Sequence, residues 1–462
     1  MGRAEDRISY LPDPVLQSIL TMLPLKSAIR TDVLSKKWRN LWKYSLSTAT
    51  ALEFGEEFAN NQSAKDFVET VNRYLSQNDS KKLERFRIFF SPFELFASEI
   101  ARWISFAAGK GVRYLDIDLS QGFRNLVDGE FTDGRSLFEL PSSLFDCDSL
   151  IDLRISRCFF FTPLNLTNFG GLQSLSISHS NINEEMLQGI LTECSLLESL
   201  SLRNCQQLGV ISITFGILFV ICFGAFGRAC METNLSNLFS LEDAAISSIG
   251  AYSEPDYIYL LPGLSHVQTL TLCTKALVHL HLSEQYQIEL QNLHELQLVL
   301  TSMTDEDLTC FYTFFYSCSS PFLDKLFILL PTHIDDPNEE KYWVRVLNPL
   351  SPDDISFDHL KMIKVTNFKG SRNEMRLVSF LLQKAAILET LVLVLPAVQE
   401  GNGKETLVLR ILRGQVLLLE KASPCAQIIL HEFGEDDGLN PTHVEIYNDY
   451  SCLPDIPCMV TG

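Results

Sequence analysis

LIDLRISRC (150–158), LQSLSIS (172–178) and LESLSLRNC (197–205) share one frame, L-x-x-L-x-[LIV], and this frame decides the fold. It recurs at Val112-Leu115-Ile117, Val267-Leu270-Leu272, Leu293-Leu296-Leu298, Leu323-Leu326-Ile328, Leu360-Ile363-Val365 and Leu388-Leu391-Leu393, nine copies with the first three. From 150 onward the starts differ by 22, 25, 70, 26, 30, 37 and 28 residues. Alternation alone occurs in any half-buried strand, so an ordinary sheet is the competing interpretation.

The spacing falls mostly in or near the 20–29 residues of leucine-rich repeats, which predicts an α/β solenoid. Cys158 and Cys205 lie eight residues after the first leucine, where that repeat uses Asn or Cys to bond the turning backbone. Each repeat then places a strand on a concave wall, leucines inward and alternate side chains outward. The predicted outward, target-facing positions are Asp152, Arg154, Ser156, Ser174, Ser176, Ser178, Ser199, Ser201, Arg203, Glu295 and Gln297. Stacked repeats of this kind build extended binding surfaces.

The chain has 462 residues, a prior for roughly two to four domains, and 46% are hydrophobic, enough to bury a core. A net charge of −20 argues against nucleic acid and anionic lipid as partners. Twelve cysteines without a C-x-x-C pair read as reduced, buried thiols, not a disulfide or zinc framework. The opening MGRAEDRISYLPD has no apolar signal core, so the expected compartment is the cytoplasm, the nucleus or both, and no membrane partner is expected.

One stretch is discordant: LGVISITFGILFVICFGAFG (208–227) runs 20 residues without a charge, inside the 70-residue gap between repeats. A partial copy at 241–246 and Leu208-Ile211-Ile213 as a further copy narrow the surplus to about 214–230. Three interpretations stand open: a membrane span, a loop, or a translated intron, the last decided by the transcript across codons 208–232.

Residues 11–42 read LPDPVLQSILTMLPLKSAIRTDVLSKKWRNLW and parse into three short helices. Asp13 caps the first with Pro14 at its first position, and Leu16, Ile19, Leu20 and Leu23 form one apolar stripe. Leu25, Ile29 and Val33 line a second, and Trp38, Leu41 and Trp42 a third. So small a unit needs an outside surface to complete its core. Through Tyr44 it carries eight Lys or Arg against four Asp or Glu, which suits an acidic partner. The runs Leu11-Pro12-Asp13, Leu23-Pro24-Leu25-Lys26 and Val33-Leu34-Ser35-Lys36-Lys37-Trp38-Arg39 resemble an F-box over residues 8–44. The resemblance implies docking on the acidic Skp adaptor of a cullin–RING ubiquitin ligase, through Leu11, Pro12, Leu16, Leu20, Leu23, Leu25, Leu34 and Trp38.

Residues 357–395 read as strand, turn, amphipathic helix and strand, and 411–430 as helix and strand. The runs Phe368-Lys369-Gly370-Ser371-Arg372-Asn373-Glu374 and Lys421-Ala422-Ser423-Pro424 resemble the FBD domain at the end of plant F-box and leucine-rich-repeat proteins. The expected organisation is an F-box (8–44), a connector and start of solenoid (45–109), repeats (110–356), FBD (357–430) and a loosely ordered acidic tail (431–462).

Motifs for chemistry are weak. His279-x-His281 and Asp116-x-Asp118 each put two side chains on one strand face but lack a third ligand, and Gly401–Thr406 reads as a turn instead of a phosphate loop. No catalytic residue, metal or cofactor is predicted. The expectation is a non-catalytic substrate receptor whose repeats hold an unidentified target protein; the alternative is a repeat scaffold outside any ligase, tethered to a membrane through 208–227.

Overall fold

The computed structural model describes residues 8, 10–21, 23, 27, 30–38, 41, 47–59, 63–90, 94–119, 137–159, 167–203, 205, 210–212, 219–223, 232–234, 241–247, 261–281, 287–332, 355–396, 405–434 and 439–444. The chain divides into two compact units, Met1–Gln207 and Leu208–Gly462.

Among the described residues the first unit opens with helix α1 (Asp13–Thr21) and continues into six parallel strands of the main sheet in chain order: β1 (Ala51–Phe54), β2 (Arg85–Phe89), β3 (Tyr114–Asp118), β4 (Asp152–Ser156), β5 (Ser174–Ser178) and β6 (Ser199–Arg203). Parallel neighbours require crossovers. Helices α2 (Ala64–Gln77), α3 (Ala97–Gly109) and α4 (Glu184–Glu193) supply three of them. Register stacks Leu115, Leu153, Leu175 and Leu200 in one row and Ile117, Ile155, Ile177 and Leu202 in the next. Across all nine copies of the frame no apolar position is more than 3% exposed. That common burial holds the stack together, at about 1.5–3 kcal/mol per large apolar side chain.

The first two repeats lie in the stretch that the leucine pattern did not resolve. Leu83-Phe86-Ile88 is the same frame with Phe at its second apolar position, and all three are buried. Ser63 caps α2 by accepting from the Asp66 N–H at 3.2 Å. Phe54, Phe67, Phe90 and Trp103 then pack together, with Phe67 and Phe90 stacked at 4.9 Å, and the buried indole N–H of Trp103 is satisfied by Asn72 Oδ1 at 2.8 Å.

Strand ends carry the cysteines as the repeat predicts. Arg157 (φ 60°) and His179 (φ 48°) turn the chain out of β4 and β5. Cys158 Sγ then donates to the Ser156 carbonyl at 3.5 Å, and Cys205 Sγ to the Ile177 carbonyl at 3.5 Å. Burial pushes the Cys194 and Cys318 thiols up to about 12 and Cys310 to about 11, so these are structural and not nucleophilic thiols.

Among the described residues the second unit contributes eight parallel strands to the main sheet: β7 (Phe219–Phe223), β8 (Asp243–Ser247), β9 (Thr269–Cys273), β10 (Glu295–Val299), β11 (Lys325–Leu329), β12 (Met362–Thr366), β13 (Thr390–Val394) and β14 (Gln427–His431). Helices α5 (Thr274–His281), α6 (Asp305–Ser317), α7 (Arg372–Lys384) and α8 (Glu405–Val416) accompany them. Capping boxes start α6 (Thr304 with Asp307) and α7 (Ser371 with Glu374). Arg376 on α7 reaches Asp305 on α6 at 2.6 Å. The β11–β12 register sets Leu326 beside Ile363 and Ile328 beside Val365, so the strand, helix and strand of 357–395 extend the repeat sheet.

Two expectations are corrected here. The span 214–230 is not surplus: it contains β7, paired in parallel with β8. Strand starts at Ser199, Phe219, Asp243 and Thr269 step by 20, 24 and 26 residues, which dissolves the 70-residue anomaly. Leu208-Ile211-Ile213 misled the count, because Val210–Ser212 instead pairs with Glu232–Asn234 in a separate two-stranded sheet. No helix among the described residues is long and apolar enough to cross a membrane. Residues 274–281 are a helix and not a strand, and an i, i+2 pair such as His279 and His281 does not share a helix face.

Gly370 turns the chain into α7 at φ +74°, and a Cβ there would collide with the Leu412 side chain. Gly370→Ala is therefore expected to destabilise the second unit by about 1–3 kcal/mol. Thermal melting would register this as a fall of roughly 3–10 °C, and an unchanged midpoint would show that the turn tolerates the side chain.

Candidate docking module and outward strand faces

The N-terminal module builds its own small core from Leu16, Leu20 and Trp38, with Leu11, Ile19 and Leu41 packed against it. Lys37 Nζ donates to the Leu11 carbonyl at 2.5 Å and lies 3.6 Å from Asp13. This joins the Leu-Pro-Asp run to the Ser-Lys-Lys-Trp run. Of the eight residues expected at the adaptor, Leu16, Leu20 and Trp38 are interior, Leu11 is half-buried, Pro12, Leu23 and Leu34 are exposed, and Leu25 lies outside the described residues. The interior three are corrected from surface contacts to core residues of the module. The most open apolar side chains are Tyr10, at 82% and outside every predicted stripe, and Val33, at 87% and predicted to line the second stripe; Leu34 at 62% and the exposed Ile8 and Val15 join them. So much apolar side chain left in water by a short basic segment marks an interaction surface.

On the first unit's sheet the outward side chains form ordered rows. One row runs Glu53, Arg87, Asp116, Arg154, Ser176, Ser201, alternating in charge before it turns to serine. Arg87 Nε meets Asp116 Oδ2 at 3.0 Å, Arg154 meets Asp152 at 3.3 Å, and Arg85 meets Glu53 at 3.4 Å while lying over the Tyr114 ring at 5.3 Å. The serine band comprises Ser174, Ser176, Ser178 and Ser199, with Arg203 at its end. Ser156 and Ser201 point to the same face but are buried, which removes them from the predicted contact set. This surface suits a polar, mixed-charge partner.

Burial pushes the Asp116 carboxyl up to about 6; Arg87 opposes the rise and Asp118 adds to it. A carboxyl whose folded value exceeds its unfolded one binds its proton more tightly when folded. Its contribution is present at low pH and is lost as pH rises from about 4 to about 6. Relative to the parent, Asp116→Asn should gain about 1–2 kcal/mol across that window and then level off. Melting curves at pH 4, 5, 6 and 7 check this; a constant difference would exclude Asp116 as the titrating group. Its neighbour Asp118 shares the face, and among the described residues no group of His, Cys, Asp and Glu is arranged to hold a metal.

The second unit presents a different outward face. Thr269, Thr271, Glu295, Gln297, Phe327, Lys364 and Val392 all belong to it, yet all are buried. Glu295 and Gln297 are therefore corrected from exposed contacts to covered ones. The cover is the chain itself. The Leu439 carbonyl accepts from Lys364 Nζ at 2.7 Å, the Thr442 N–H donates to Glu295 Oε1 at 2.7 Å, and His443 Nδ1 lies 2.8 Å from Thr271 Oγ1. Residues 439–444 of the expected loose tail are seated, and His431 closes β14; much of the remaining tail lies outside the described residues, as does Gly401–Lys404.

Family models match this chain at three places: "F-box domain" at residues 8–49, "FBD-associated F-box protein At5g56370, LRR repeats" at 100–255, and "FBD" at 358–393. The curated F-box/FBD/LRR-repeat protein At1g13570 of Arabidopsis thaliana is 26% identical over 456 residues, covering 93% of this chain and 99% of its own. The chain is a plant F-box/FBD/leucine-rich-repeat protein. F-box/LRR-repeat protein At3g03360 of the same plant is 30% identical over 225 residues, 46% of this chain and 42% of its own length. Within this F-box/FBD/LRR chain the F-box match covers the Leu16–Leu20–Trp38 core, and the FBD match spans β12, α7 and most of β13.

Proposed function

We propose that this chain is the non-catalytic substrate-recognition subunit of a Skp–cullin–F-box ubiquitin ligase, working in the cytoplasm or nucleus. Proteins with F-box and leucine-rich-repeat domains typically serve this role, and F-box domains generally bind Skp-type adaptors. The observation that carries the proposal is the exposed apolar set Tyr10, Val15, Leu23, Val33 and Leu34 on a basic module whose interior is already filled by Leu16, Leu20 and Trp38. An acidic adaptor with an apolar groove would complete that surface. The repeats would hold a target protein on their outward rows, and the assembled ligase would act by raising the effective concentration of ubiquitin-loaded enzyme at the target. No chemical step is asked of this chain. The test is co-purification with a Skp-type adaptor, together with adaptor-dependent turnover of any protein captured by the repeats; a stable adaptor-free protein that holds its target without turnover would favour a scaffold instead.

A further inference from the structure

We infer that the outward face of β9–β12 is a peptide-binding groove, that its resident in the free protein is the chain's own Leu439–Val444, and that a target peptide of the same chemistry must displace it. The inference rests on the proposal that the repeats bind the target. Lys364 and Thr271 lie in one row of the sheet and Glu295 in the next. The segment therefore crosses the strands, from Lys364 on β12 over Glu295 on β10 to Thr271 on β9.

Two of the three polar contacts read the backbone of the segment and one reads a side chain. A carbonyl meets an ammonium, an N–H three residues later meets a carboxylate, and the next residue brings a ring nitrogen to a hydroxyl. Pro441 precedes the N–H donor and is itself buried, as is His443 at 7% exposed. The groove thus selects a short peptide of Pro-x-His type, with an unspecified residue two before the Pro supplying the carbonyl.

The floor of the groove is built to receive such groups. Lys364 stands between Phe327 and Val392 in its row, so its ammonium has apolar neighbours on both sides and the tail carbonyl compensates its burial. Glu295 is braced by Gln297 Nε2 at 2.6 Å, and Thr271 donates to Gln297 Oε1 at 3.0 Å. The acceptor and the hydroxyl are held in place before any ligand arrives, which lowers the ordering cost of binding. A tethered occupant competes at high effective concentration, so it weakens an incoming peptide without contacting it.

The probe is a fluorescein-labelled synthetic peptide of residues 438–446, Gly-Leu-Asn-Pro-Thr-His-Val-Glu-Ile, followed by fluorescence anisotropy. It is titrated into the intact chain, a chain ending at Asp437, and an intact chain carrying Thr442→Pro, which removes the donating N–H and fixes φ at that residue. Both altered chains should bind saturably, and the intact parent at least about tenfold more weakly. A peptide N-methylated at the position of Thr442 should lose about tenfold or more, and a scrambled peptide should not bind. The inference is overturned if neither altered chain binds more tightly than the parent, or if the N-methylated or scrambled peptide binds as well as the native one. Should the shortened chain fail to fold, Thr442→Pro decides alone. Adaptor co-purification on the same variants reports on the N-terminal module, so failure of the ligase proposal and failure of the groove leave separate signatures.

Discussion

Val33→Asp with Leu34→Asp abolishes co-purification with a Skp-type adaptor while leaving the melting curve within about 0.5 kcal/mol of the parent. Surface substitutions away from caps and core usually stay inside that bound. The two side chains are 87% and 62% exposed, so their replacement removes no packing within the chain. In the complex the same positions would be desolvated, and two new carboxylates would face an adaptor that the F-box resemblance describes as acidic. An unpaired charge buried at an interface costs about 3–5 kcal/mol, a loss of roughly a hundredfold to several thousandfold in affinity. Leu11→Ala with Pro12→Ala should also abolish the interaction, but less cleanly, because Leu11 packs on Leu16, Leu20 and Trp38 and its carbonyl accepts from Lys37. Trp38→Ala loses adaptor by a third route, emptying the module's core at about 3–5 kcal/mol. If the Val33 and Leu34 carboxylates leave adaptor binding intact in a folded chain, the docking face lies elsewhere and the ligase proposal loses its carrying observation.

How far the sequence foretold this structure depends on which face of a strand is asked about. The inward face was legible because burial selects the same residue types in every repeat: Leu153, Leu175 and Leu200 stand in register and so resemble one another. Phe86 and Ala244 occupy the same row type with different side chains, and the strands they mark are the ones that pattern alone missed or saw only in part. The outward face was legible in direction but not in exposure. Alternation places Gln297 opposite Leu296 and Leu298, yet only the fold brings residues 439–444 across it, from about 150 residues away in sequence. The F-box motif behaved in the same way. Its leucines and Trp38 were readable as a set, but only packing assigns Leu20 on α1 to the core and Leu34, after the turn Thr31–Val33, to the surface. Exposed Tyr10 carries no periodic signal at all, and the four-residue step from Leu25 through Ile29 pointed Val33 to packing where the fold leaves it 87% exposed.

Excising residues 214–230 should lower the stability of the second unit by about 3–5 kcal/mol, a fall of roughly 10 °C or more in its melting point. By arithmetic on the leucine frame alone, the same excision would repair the protein, because it removes the apparent surplus and lets Leu208-Ile211-Ile213 serve as the repeat. The strand pairing argues the opposite. Phe219–Phe223 pairs with Asp243–Ser247 residue by residue, and removing it strips β8 of one complete parallel ladder at net values of about 0.5–1.5 kcal/mol per hydrogen bond. Excision also shortens the link between Val210–Ser212 and Glu232–Asn234, the two strands that pair with each other in the small two-stranded sheet. The remaining chain could compensate only by moving Val210–Ser212 out of that pairing and into the vacated place. Two effects therefore oppose one another, five lost pairings against the recovery of at most three from Val210–Ser212, and the count favours a net loss. Denaturation of the excised and intact chains, read together with hydrogen exchange at Ala244 and Ala245, separates the outcomes. Faster exchange there with a lowered midpoint identifies β7 as a working repeat. Equal stability with protected amides would mean that Leu208-Ile211-Ile213 had taken over the register, and that the apolar run is dispensable to the fold.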